Sequence, residues 1–157
     1  MPKRIIAIDP GANGGIAVKS DSGIEAYNMP ATFPDIYNLL KELSQWYGPT
    51  ESEVTAVLED VGHGLPGQSS SATAKFARHC GHLEMALYAL GVKTCMVTPQ
   101  KWQKFYSNSL GKSSSCTKNE WKNKLKGLAQ QMFPSLKVTL CTADALLLAE
   151  YGWRNEL

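Results

Sequence analysis

The sequence has no Cys-x-x-Cys pair, no long apolar run, no internal repeat and a net charge of only +2. Its four cysteines, Cys80, Cys95, Cys116 and Cys141, are widely scattered. Structural zinc sites use closely spaced ligand pairs, and secreted disulfide scaffolds are shorter and denser in cysteine, so these thiols are read as reduced. No apolar stretch reaches the roughly 18–20 residues that span a bilayer. The first one is broken by Asp9, too early for the apolar segment of a secretory leader. The expectation is a cytoplasmic protein with no membrane partner. At 157 residues the chain is long enough to bury a proper core but short for a two-domain cofactor enzyme. A single domain over residues 1–157, with no small-molecule cofactor, is expected.

The small net charge conceals an asymmetry. Between residues 101 and 126 there are seven lysines and one acid, Glu120, a net of +6. The other residues carry nine basic and thirteen acidic side chains, a net of −4. A basic segment on an otherwise acidic chain suits a polyanionic partner, and equally a solvated lysine-rich helix face.

Hydrophobic periodicity and turn residues divide the chain as follows. Residues 3–9, 14–19 and 23–29 read as three short strands joined by tight turns, an antiparallel meander. A helix follows over 34–47, capped by Thr32, with Ile36, Leu39, Leu43 and Trp46 at helical spacing, and Gly48-Pro49 stops it. Residues 54–59 form a buried strand and 62–67 a loop. A long helix over 70–90 carries an apolar stripe of Phe76, Cys80, Leu83, Leu87 and Leu90, with Lys75, Arg78, His79 and His82 on a separate, solvated face. Residues 92–97 make a fifth strand and 99–106 a short helix. The serine-rich stretch 107–116 reads as a mobile loop. Thr117-x-x-Glu120 is a capping box for a helix over 118–133, whose core stripe is Trp121, Leu125, Leu128 and Met132. A very apolar helix over 140–153 ends the chain. The order, βββ-α-β-α-β-α-α-α, predicts an α/β fold: a five-stranded mixed sheet with helices on both faces.

Three carboxylates sit where core building alone does not place them. Asp9 ends the first strand, Glu59 ends an otherwise apolar strand, and Asp144 lies in the first turn of the last helix. Burying an isolated carboxylate costs several kcal/mol unless a cation or several hydrogen bonds compensate it. Three oxygen ligands of this kind suit Mg²⁺ or Mn²⁺. Each acid also has an ordinary role open to it: Asp9 as a turn former, Asp144 as a helix-dipole partner, Glu59 as a residue emerging into solvent.

Ile8-Asp9-Pro10-Gly11 with Gly14-Gly15-Ile16-Ala17-Val18, then Val57-Leu58-Glu59, then Ala143-Asp144-Ala145-Leu146, resembles the RuvC family of Holliday-junction resolvases, members of the ribonuclease-H-like superfamily. Val97-Thr98-Pro99 followed by Trp102 and Lys104, and Lys118 before the late helix, extend the resemblance over nearly the whole chain. The Asp-Pro-Gly turn alone is shared with actin-like and sugar-kinase ATPases; the Ala-Asp-Ala-Leu helix is more discriminating. The resemblance implies a ribonuclease-H-like fold and an endonuclease that hydrolyses DNA phosphodiesters with two Mg²⁺ ions, for which Mn²⁺ substitutes. By that resemblance Asp9, Glu59 and Asp144 are both the catalytic residues and the metal ligands, with Asp9 bridging the ions. The family carries an Asp or His three residues before its last Asp, and here that position is Cys141, a soft donor mismatched to Mg²⁺. Asp60 and Glu150 are not obvious substitutes, which leaves His63 or a site with fewer ligands.

Lys104, Lys112, Lys118 and Lys122 are the candidate phosphate contacts. Branched DNA is the expected partner, and its two-fold symmetry favours a homodimer, with the helix over 70–90 available for the contact. His63 or Leu65 is the best available wedge for unstacking bases. The open alternatives are another ribonuclease-H-like nuclease acting on branched DNA or on RNA–DNA hybrids, and a catalytically weakened DNA-binding relative. An ATPase of the actin type lacks room for its phosphate and adenosine loops.

Overall fold

Strand β1 (Lys3–Asp9) is the axis of the sheet. It pairs antiparallel with β2 (Gly15–Ser20), Asp9 opposite Gly15, and parallel with β4 (Glu53–Glu59), Ile8 opposite Leu58. Strand β3 (Gly23–Asn28) continues the meander beyond β2, and β5 (Lys93–Val97) lies parallel outside β4, giving the order β3-β2-β1-β4-β5. The computed structural model describes residues 3–45, 53–62 and 67–157, and all five strands lie within two residues of the sequence reading.

Side chains alternate across a strand, so one sheet must feed two cores. Ile6 and Ile8 of β1 with Ala56 and Leu58 of β4 pack under helices α1 (Phe33–Ser44) and α2 (Ser70–Ala89), together with Leu40, Leu83 and Leu87. Ile5 and Ala7 with Val57 pack on the opposite face against α3 (Pro99–Phe105), α5 (Lys118–Met132) and α6 (Ala143–Arg154), through Trp102, Leu125 and residues 145–149. By the same alternation Asp9 and Glu59 belong to this second face.

Several helix ends follow the chemistry read from the sequence. Thr32 accepts from the Asp35 N–H at 3.3 Å. Thr117 and Glu120 form the full capping box, Thr117 N–H to Glu120 Oε2 at 2.7 Å and Glu120 N–H to Thr117 Oγ1 at 3.2 Å. Replacing such a cap by Ala costs typically about 1 kcal/mol.

Three expectations are corrected. The serine-rich stretch is not an open loop: α4 (Ser107–Leu110) and a 3₁₀ turn (Ser113–Ser115) occupy it, because Leu110 is buried in the second core and pins the segment down. The last helix begins at Ala143 rather than at residue 140. Thr139 and Thr142 bond each other instead, Thr139 N–H to Thr142 Oγ1 and Thr142 N–H to Thr139 Oγ1, which draws the backbone into a turn. Cys141 therefore sits in that turn. On α2 the polar face is divided: Lys75 and Arg78 are exposed, whereas His79 and His82 are half-buried, with the His82 ring 3.9 Å from that of Phe33. Trp46, Tyr47 and the stop at Gly48-Pro49, like the wedge candidates His63 and Leu65, lie outside the described residues.

Two close approaches set the position of α6 on the sheet. A Cβ at Gly15 would overlap the carbonyl of Cys141, so the start of the helix rests on the β1–β2 end of the sheet. A Cβ at Gly152 would lie 2.9 Å from Val57 Cγ2 and 3.2 Å from Ile5 Cγ2, so the far end crosses β4 and β1. Asp144 is thereby delivered to the sheet edge where β1 and β4 end. Among the described residues, no helix is long and apolar enough to cross a membrane.

Candidate active site

Asp9 and Glu59 close two adjacent parallel strands on the same face, one step beyond the Ile8–Leu58 pair. Asp144 enters from the first turn of α6. Glu59 is buried, and Asp9 and Asp144 are half-buried. The three act on one another electrostatically. Burial foremost, then the charges of Glu59 and Asp144, push the Asp9 carboxyl up to about 9. Burial raises Glu59 to about 7, against a hydrogen bond from Trp102 that favours its charged form, with Asp144 pushing it further upward. Burial raises Asp144 to about 6. One cation opposes these shifts at all three acids: Lys122.

Glu150, another buried acid, shows what compensation looks like in the same molecule. It lies 2.7 Å from Lys19 Nζ and 2.6 Å from Arg154 Nε. Burial would raise its carboxyl, but these two partners hold it below the usual range. Asp9, Glu59 and Asp144 have no such ion pair among the described residues. Glu150 is thus a structural anchor of α6, tied to β2 through Lys19. Asp60 is exposed and accepts from the Gly62 N–H at 3.2 Å, the work of a turn former.

The donor set fits a hard divalent cation: carboxylate oxygens only, partly withdrawn from water, under mutual repulsion that added positive charge would relieve. The fit stops short of a closed cage. Among the described residues no three His, Cys, Asp or Glu side chains are gathered closely enough to hold a metal ion as they stand. Carboxylates with a single lysine in range and no cation between them have reason to keep their oxygens apart. Cys141 is half-buried, and its carbonyl is what faces the sheet, at Gly15.

The four candidate phosphate-binding lysines, Lys104, Lys112, Lys118 and Lys122, are all exposed, and none is in an ion pair among the described residues. Lys122 alone of the four acts on the three acids. Sequence reasoning assigned no role to Trp102. It is fully buried on α3, and its indole N–H donates to Glu59 Oε2 at 2.6 Å. In sequence it enters only as one of the residues that carry the resemblance, and only the juxtaposition of α3 with the end of β4 reveals the bond.

No protein-family model and no curated protein matches the sequence. Solved structures do match its architecture. The Thermus thermophilus RuvC structure shares 14% sequence identity and a TM-score of 0.56, with 98% of this chain and 96% of that chain covered. T. thermophilus RuvC in complex with its Holliday junction substrate shares 16% identity and a TM-score of 0.58 over the same fractions. At this identity the likeness speaks to architecture. The chain has the ribonuclease-H-like fold of RuvC, matched over nearly its full length.

Proposed function

We propose that this chain is a single nuclease domain that cuts four-way (Holliday) DNA junctions by divalent-metal-assisted phosphodiester hydrolysis, a crossover junction endodeoxyribonuclease. The observation that carries the reading is the contrast between the acids. Glu150 has two cations against it, whereas Asp9, Glu59 and Asp144 meet at one sheet edge with raised proton affinities and no direct counter-ion among the described residues. A fold holding three such groups with one lysine in range and no ion pair is built for something positive to enter. The likeness to a RuvC solved with a Holliday junction supports branched DNA as the partner.

Asp9, on the central strand, together with Glu59 and Asp144 would hold the Mg²⁺, two ions per site by the resemblance. The chemistry such ions supply when bound is Lewis-acid stabilisation of phosphoryl oxygens and acidification of a water. The chain's own residues do the rest. The three carboxylates hold negative charge at a fixed edge; Lys122 offsets part of it and would take a phosphate there. Lys104, Lys112 and Lys118 bind backbone phosphates away from the reacting centre. Asp9 and Glu59 belong to strands, the most rigid elements available, so the reacting phosphate is held against a stiff edge.

A homodimer fits a two-fold substrate. The support for it is an apolar groove of about 570 Å³ beside α2 and β5, where Met85, Tyr88 and Met96 are 62%, 80% and 47% exposed.

The test is nicking of a synthetic four-way junction with Mg²⁺ or Mn²⁺. Asp144→Asn is expected to lower cleavage by at least about 100-fold, the scale of losing a group that acts in the transition state, while junction binding is kept. Cleavage surviving Asp144→Asn contradicts the reading. A second reading, a catalytically weakened DNA-binding relative, draws on Cys141 at the fourth-ligand position, and in the same assay Cys141→Asp is expected to raise activity.

A further inference from the structure

We propose that Trp102 is a positioning residue of this site: its indole N–H fixes one oxygen of Glu59 and so commits the other to a divalent cation. The inference rests on the nuclease reading above. Trp102 Nε1 lies 2.6 Å from Glu59 Oε2, a buried and short contact for an N–H donor. An indole N–H can only donate, so Trp102 cannot take a proton from Glu59 or compete as a ligand. The terminal torsion of a glutamate is soft and roughly two-fold; a fixed donor on one oxygen removes that freedom and leaves Oε1 outside the bond.

Trp102 is itself held. Thr98 caps α3, accepting from the Lys101 N–H at 3.4 Å. The Tyr106 ring meets Trp102 edge-on, 6.3 Å between centroids at 78°, and the Tyr106 hydroxyl donates to the Leu147 carbonyl of α6 at 2.6 Å. The Trp121 indole of α5 donates to Gln103 Oε1 at 3.1 Å. The short helix α3 therefore braces β4, α5 and α6, the elements that carry Glu59, Lys122 and Asp144. A tryptophan that merely satisfied its own N–H would contribute stability alone. One that positions Glu59 must also change how tightly the site takes a cation.

The experiment is a Mn²⁺ titration of the metal-free full-length protein, followed by electron paramagnetic resonance, alongside thermal melting. Trp102→Phe is expected to weaken Mn²⁺ binding by about 10- to 100-fold, the range in which partners of metal ligands act. Thr32→Ala removes the side-chain cap of α1, on the opposite face of the sheet, and serves as the structural control: its melting temperature falls while Mn²⁺ affinity stays at the wild-type value. Equal Mn²⁺ affinity in Trp102→Phe and wild type overturns the positioning role and leaves the nuclease reading standing. A wild-type protein that takes up no Mn²⁺ overturns both. Should Trp102→Phe fail to fold, the assigned indole N–H resonance of Trp102 in the wild type decides: displacement on adding Mg²⁺ is expected, and an unmoved resonance refutes the role.

Discussion

At the scale of single residues, the separation of acids into compensated and uncompensated groups governs how the metal-free protein responds to pH. Asp9, Glu59 and Asp144 hold their protons up to about 9, 7 and 6 in the fold, against values near 4 in an unfolded chain. Between about pH 4 and pH 9 the native state therefore binds more protons than the unfolded one, and stability falls as pH rises through that window. Glu150 has the opposite sign, its folded value being depressed; its contribution is present above the ordinary carboxylate range and lost in acid. Melting temperatures across this window in EDTA are expected to decline toward alkaline pH, and millimolar Mg²⁺ should raise them most at the alkaline end. A Mg²⁺ effect of equal size at every pH would separate the cation from these carboxylates. The positions of the acids were legible because a carboxylate at the end of an apolar strand has few reasons to be there. Trp102 was not legible, since a buried indole declares its hydrogen-bond partner only in three dimensions.

At the scale of elements, the site depends on where α6 starts. The sequence marked residues 140–153 as helical because they are apolar, but apolarity cannot register the paired threonine bonds at Thr139 and Thr142 that delay the helix to Ala143. Gly15 is the matching feature on the sheet, since a side chain there meets the Cys141 carbonyl and the Tyr27 carbonyl. Gly15→Ala must push backbone rather than a flexible side chain. It is expected to destabilise the protein by about 1–3 kcal/mol, a fall in melting temperature of roughly 2–4 °C per kcal/mol, and to weaken Mn²⁺ binding by moving Asp144. A folded variant with unchanged metal affinity would show that α6 is not what registers Asp144 against the strands. The stripe on α2 was partly misread for a related reason. Periodicity located Leu83 and Leu87 in the core, but it could not foresee that Phe33 would draw His82 inward.

At the scale of the whole molecule, the order of elements along the chain, the meander and a mixed sheet covered on both faces were readable from alternation and turn chemistry, whereas the strand order β3-β2-β1-β4-β5 came from the fold. The one-sided concentration of lysine after residue 101 was readable from charge counting. Four exposed lysines with no ion pair among the described residues predict electrostatic binding. If each neutralises one phosphate, the logarithm of junction affinity should fall with the logarithm of salt at a slope of about −0.9 per contact, near −3.6 in total. A flat salt titration would remove the lysine surface from the account. Convergence of the acids was the part least available from sequence, because spacing along a chain says which elements meet but not how closely their side chains close. The central claim is that Asp9, Glu59 and Asp144 gather around a divalent cation, and anomalous diffraction from a Mn²⁺-soaked crystal tests it most directly. The account predicts manganese peaks bridged by Asp9 and bounded by Glu59 and Asp144; the same three side chains still apart, with manganese absent or bound elsewhere, would contradict it.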